Sequence, residues 1–157
     1  MDVEIKHVDE QRVAALRHRG PYNQISGAFE KLGEIAGAAG LFRDGAAKMV
    51  ALYYDDPKTT PPDQMESDAG VVIGNSAQLP DGLNEQHIHA GDYATTLHVG
   101  PYEALPDAWA RLLGEWLPSS GYRLADDGAT YELYLNDPSR VPKDQLRTEL
   151  RVGVVRE

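Results

Sequence analysis

His18-Arg19-Gly20-Pro21-Tyr22 returns in the second half of the chain as His98-Val99-Gly100-Pro101-Tyr102. The stretch decides the fold because each copy joins the same two kinds of sequence. A strand-like run leads into it, Val13-Ala14-Ala15-Leu16-Arg17 in one case and Tyr93-Ala94-Thr95-Thr96-Leu97 in the other. A helix-like run leaves it, and Gly-Pro is the breaker pair that separates the two. The echo continues downstream, with Leu52-Tyr53-Tyr54-Asp55-Asp56-Pro57 matched by Leu133-Tyr134-Leu135-Asn136-Asp137-Pro138. Asp63-Gln64-Met65 is likewise matched by Asp144-Gln145-Leu146. A repeat this long predicts two similar half-modules, about 1–74 and 84–157, within a single domain spanning 1–157. The aperiodic segment from Gly74 to Asn84 reads as the linker between them.

Val3, Ile5 and His7 alternate with Glu4, Lys6 and Val8, which predicts a first strand, and residues 12–18 predict a second. Ile25, Ala28, Phe29, Leu32, Ile35 and Ala39 fall at helical spacing, so a helix is expected over 23–39, stopped by Gly40. Strands are expected over 48–54 and 68–73, with a polar, Pro-rich loop over 55–67. In the second half, residues 86–89 and 92–98 read as strands, and Leu105, Ala108, Trp109, Leu112 and Trp116 share one helical face. Pro106 is tolerated only in the first turn, which places the start of this helix near Tyr102 or Glu103, and Gly121 ends it. Strands over 131–135 and 149–155 complete the set. One helix per half covers one sheet face. The expected architecture is therefore α+β: tandem strand-helix-strand-strand modules, an antiparallel sheet, and a pseudo-two-fold axis with a ligand-sized cleft between halves.

Bulk composition narrows the function. The 157 residues include no cysteine, which excludes disulfides and thiolate chemistry. No apolar run approaches the ~20 residues that span a bilayer. Met1-Asp2-Val3-Glu4 lacks the layout of a signal peptide, so a cytoplasmic protein with no membrane contact is expected. The net charge of −10 opposes direct binding of nucleic acid and suits solubility or cationic ligands. His87 and His89 alone do not make a metal site, and no metal or cofactor is expected. Asp63, Glu66 and Asp68 lack calcium-loop spacing and read as a solvated loop. No nucleophile elbow, phosphate-binding loop or dinucleotide fingerprint occurs.

Function is expected where the halves disagree. In Tyr131-Glu132-Leu133-Tyr134-Leu135, alternation puts Tyr131, Leu133 and Leu135 on one face, read as core, and Glu132 with Tyr134 on the other. Glu132 corresponds to Ala51, and a carboxylate is unfavourable among strong strand formers. The plain alternative is a solvated Glu132 paired with a surface cation. If buried, the carboxylate must be neutral, paired or awaiting a cation. Tyr134 and its counterpart Tyr53 beside it would suit a flat cation. Trp109, which corresponds to Phe29, reads as core that could also wall a pocket. The candidate ligand-binding set is Glu132, Tyr134, Trp109, Tyr53, Ala51, Tyr22 and Tyr102, with Glu132 and Tyr134 as candidate catalytic groups.

The second half resembles the GyrI-like small-molecule-binding family. The resemblance is carried by His98-Val99-Gly100-Pro101-Tyr102, Trp109, Trp116-Leu117-Pro118, Ser120-Gly121-Tyr122, the run Tyr131 to Pro138, and Leu146-Arg147-Thr148-Glu149. It extends over roughly residues 3–155, with departures at Glu66, where the family usually has Arg, and at Gly153, where it tends to have Pro. The resemblance implies two related modules around a central cleft, with Glu132 as the cleft acid. Related domains are effector-binding modules of multidrug-sensing transcription regulators. The leading expectation is a stand-alone binding protein for aromatic, often cationic compounds, sequestering or sensing a drug or toxin. A hydrolase opening the cyclopropane ring of DNA-alkylating natural products is the alternative, with Glu132 acting on water or a carbonyl and Tyr134 assisting. A protein partner such as gyrase is a third reading, with no local sequence feature behind it.

Overall fold

The computed structural model describes residues 1–42 and 48–157. They fall into two compact units: unit 1, Met1–Asp9 with His89–Glu157, and unit 2, Glu10–Ile88. The strands are β1 Glu4–Val8, β2 Gln11–Arg19, β3 Met49–Tyr53, β4 Glu66–Ile73, β5 Asn84–Ile88, β6 Gly91–Val99, β7 Tyr122–Leu124, β8 Thr130–Tyr134 and β9 Arg147–Arg156. The helices are α1 Ser26–Ala38 and α2 Leu105–Arg111. The class is α+β with antiparallel pairing throughout both units. Among the described residues, no helix is long and apolar enough to cross a membrane.

Within unit 1 the strand order is β1-β6-β9-β8, with β7 also on β9. Within unit 2 it is β5-β2-β4-β3. The compact units and the sequence halves are therefore offset by one strand: β1 pairs with β6, and β5 pairs with β2. β2 thus carries β4 on one edge and β5 on the other, and β6 carries β9 and β1 in the same way.

The Gly-Pro-Tyr corners are built alike. Gly20 and Gly100 have φ of +124° and +138°, a region that disfavours a Cβ. Their N–H groups donate to Met65 O and Leu146 O, each at 2.8 Å. His18 and His98 close the corner by donating from Nε2 to the carbonyls of Pro21 (3.0 Å) and Pro101 (3.2 Å). A carbonyl only accepts, so the proton sits on Nε2 in both rings. A 3-10 turn follows each corner, Tyr22–Gln24 and Tyr102–Ala104, before the α-helix begins. Pro106 lies in the first turn of α2, where its missing N–H costs nothing.

In unit 2, α1 buries Leu32 and Ala36 against Ala14, Ala69, Val71 and Ile73. It ends at Gly40 (φ +79°) with Leu41 N donating to Ala36 O and Gly40 N to Gly37 O, a Schellman stop. In unit 1, α2 buries Leu105 and Ala108 against Ala94, Leu150, Val152 and Val154, with Leu112 beyond its end. The single helix expected through Trp116 instead changes to a π-helical turn over Leu112–Trp116 and a 3-10 turn over Leu117–Ser119. Pro118 has no N–H to continue the ladder.

Three sequence expectations need correction. Leu135 lies beyond the end of β8 and is 46% exposed, so it is not core. The register sets Glu132 opposite Leu150 and Tyr134 opposite Thr148, which places both on the face that α2 covers. Tyr131 belongs to the other face, opposite Arg151 and edge-on to Tyr93 at 5.7 Å. Asp68 is not part of a solvated loop. It sits in β4, 1% exposed, and accepts from Arg17 Nε (2.8 Å) and Tyr54 Oη (2.5 Å), because a buried carboxylate needs donors.

Candidate functional site

Glu132 is the middle residue of β8 and is 3% exposed. The solvated alternative therefore fails. A carboxylate taken out of water must be matched by donors, and both oxygens are. Trp109, projecting from α2, donates its indole N–H to Oε2 at 2.7 Å. Tyr134, two residues along the same strand and on the same face, donates its hydroxyl to Oε1 at 2.7 Å. Both distances are in the short range of charge-assisted bonds. Trp109 and Tyr134 are half-buried, so the two donor rings lead from the acid toward solvent.

Tyr102 completes the group. Its ring meets Tyr134 at 5.5 Å and 63°, an edge-to-face contact. Burial, then the charges of Asp137 and Glu132, hold its hydroxyl above the ordinary tyrosine range, so it stays protonated. Unit 1 thus gathers Glu132, Tyr134, Trp109 and Tyr102 from β8, α2 and the Gly-Pro-Tyr corner.

The remaining candidates lie in unit 2. Tyr22 and Tyr53 meet at 4.6 Å with planes tilted by 48°. Ala51 is fully buried in β3, opposite Ala69. The Tyr22 hydroxyl donates to Asp55 O (3.0 Å) and accepts from Asp55 N (2.9 Å).

Sequence reasoning placed Glu132 and Tyr134 side by side and put Trp109 in the same candidate set, as core that could also wall a pocket, but did not foresee its hydrogen bond to the acid. A signal was present: Phe29 and Ala51 in the first half are both replaced in the second, by Trp109 and Glu132. Two polar gains at once within one chain are what a new hydrogen bond between those positions would leave behind.

The arrangement can hold a positive charge near a preset carboxylate flanked by aromatic rings. It is also a fixed acid bonded to a phenol hydroxyl, the material of general acid–base chemistry.

The sequence profile of the GyrI-like small molecule binding domain matches residues 1–155. A DNA gyrase inhibitor of Yersinia enterocolitica serotype O:8 / biotype 1B is 33% identical over 132 residues, covering 81% of this chain and 82% of that one. The C-terminal domain of EcmrR has a similar fold, with a TM-score of 0.79 and 19% identity over 99% of this chain and 98% of that one. SAV2435, solved with tetraphenylphosphonium bound, shares the fold with a TM-score of 0.65 and 12% identity, covering 99% and 94% of the two chains. With the profile matched over nearly its whole length, the chain belongs to the GyrI-like small-molecule-binding domain family.

Proposed function

We propose that this domain binds aromatic cations, with Glu132 supplying the counter-charge and Trp109 and Tyr134 the ring faces. The observation that carries the reading is a strand carboxylate, 3% exposed, held on both oxygens by an indole and a phenol. Holding the donors in place before the ligand arrives removes part of the ordering cost of binding. The rings add cation–π attraction, worth about 0.5–2 kcal/mol per contact. That SAV2435 takes tetraphenylphosphonium on the same fold is in keeping with this ligand class. Descent of the two units from one duplicated module is part of the proposal, supported by the sequence echo and by the same strand-pairing order in each. On this account, unit 2 kept the aromatic Tyr22 and Tyr53 and the small Ala51, and unit 1 acquired the acid.

The test is a fluorescence binding panel of aromatic dyes matched in size and differing in charge. Cationic dyes should bind in preference to neutral and anionic ones, and a panel with no charge preference rejects the reading.

A further inference from the structure

The two Gly-Pro-Tyr corners end in tyrosines whose hydroxyls have different fates. Tyr22 spends its hydroxyl on the scaffold, with both of its bonds made to the backbone of Asp55. Tyr102 occupies the matching place in unit 1 and has the matching aromatic neighbour, Tyr134, where Tyr22 has Tyr53. Its hydroxyl nevertheless makes no hydrogen bond among the described residues. The hydroxyl is not sealed inside either, since among the described residues the buried unpartnered side-chain atoms are Ser67 Oγ, Thr148 Oγ1 and Arg151 Nε. A half-buried phenol that reaches solvent, touches the ring bonded to Glu132 and feels the charge of that acid is placed to meet whatever Glu132 meets. Phenols with no partner are unusual inside a polar cluster that otherwise satisfies its members.

We infer that Tyr102 is a specificity-determining residue: its hydroxyl donates to an acceptor oxygen carried by the ligand, so the site favours aromatic cations with a carbonyl or ester near the charge over those without. The inference rests on the cation reading above. A site built to give a hydrogen bond discriminates against a ligand that lacks the acceptor, because the donor is then left dry. One neutral bond of this kind amounts to about fivefold in affinity.

The experiment uses two quaternary ammonium ions of the same skeleton, phenacyltrimethylammonium and 2-phenylethyltrimethylammonium, which differ by a carbonyl in place of a methylene. Isothermal titration of the full chain should show the ketone binding about fivefold tighter. Tyr102→Phe should abolish that preference, so that the two ions bind alike. Tyr22→Phe, which breaks two backbone bonds, should lower the melting temperature and keep the preference. Tyr102→Phe deletes no protein contact of the hydroxyl and should melt like the parent. Equal binding of the two ions by the parent, or a preference that survives in Tyr102→Phe, overturns the inference while the cation reading stands. If neither ion binds while a dye cation does, the carbonyl preference is refuted and the cation reading stands. If no cation binds at all, both fall.

Discussion

Replacing Trp109 by Phe, the residue that the first half carries at Phe29, removes one atom group with a defined job. The indole N–H lies 2.7 Å from an oxygen of a carboxylate that is 3% exposed. Hydrogen bonds to charged groups contribute about 1.5–3 kcal/mol, and a buried acceptor that loses its donor forfeits most of that. The smaller ring also gives up some packing against the unit 1 core, which raises the total to about 2–3 kcal/mol. For a chain of this size that is a fall in Tm of roughly 4–12 °C. Glu132→Ala copies the other first-half residue, Ala51, and should cost a similar amount because it strands two donors. The double variant restores the Phe/Ala pair of unit 2 and strands only the Tyr134 hydroxyl. Urea unfolding of all four proteins closes a double-mutant cycle, and the double variant should be more stable than the sum predicts by about 1–2 kcal/mol. Additivity to within about 0.5 kcal/mol would refute the claim that these two residues act as a bonded pair.

Other consequences follow from the packing and the charges. A Cβ at Gly70 would meet Val13 Cγ1 at 2.4 Å, so Gly70→Ala should cost about 1–3 kcal/mol in urea unfolding. Gly33, inside α1 with nothing within 4 Å of a built Cβ, is the opposite case, and Gly33→Ala should stabilise by about 0.5–1 kcal/mol. The Thr148 hydroxyl is buried without a partner, so Thr148→Val should be neutral or stabilising by up to about 1 kcal/mol, read as an unchanged or raised Tm. Burial, helped for Tyr54 by its bond to Asp68, holds the hydroxyls of Tyr22, Tyr54, Tyr93, Tyr102 and Tyr131 above their ordinary range. Raised folded-state values mean that the native chain keeps protons the unfolded chain has lost above about pH 10, so stability is full below that pH and falls as pH rises. A spectrophotometric titration should show most tyrosines ionising late and together with unfolding; independent titration near pH 10 would contradict the packing.

The repeat made much of the fold legible, because Gly-Pro-Tyr at 20–22 and 100–102 punctuates strand from helix by local chemistry alone. Helical spacing found α1 and α2 for the same reason. The offset of β1 and β5 was not legible, since strand exchange depends on which edges of β2 and β6 are vacant, a non-local property. Alternation correctly paired Glu132 with Tyr134, yet it could not say which face of β8 the helix covers, and the apolar Tyr131 and Leu133 pointed to the wrong one. Tyr131 is buried on the second face all the same, so both faces of this strand are largely closed to water. The ion cluster of Arg17, Glu66 and Asp68 was missed because each residue alone looks like surface, and only the β2–β4 register brings them together.

The central claim is that Glu132, fixed by Trp109 and Tyr134, is the counter-charge for a cationic ligand. Titration of tetraphenylphosphonium into the parent chain and into Glu132→Gln tests it most directly, since the substitution removes the charge and keeps the shape. The account predicts measurable binding to the parent and at least a tenfold weaker affinity in the variant, about 1.4 kcal/mol, with the fold intact by circular dichroism. An unchanged Kd in a folded Glu132→Gln protein would contradict it.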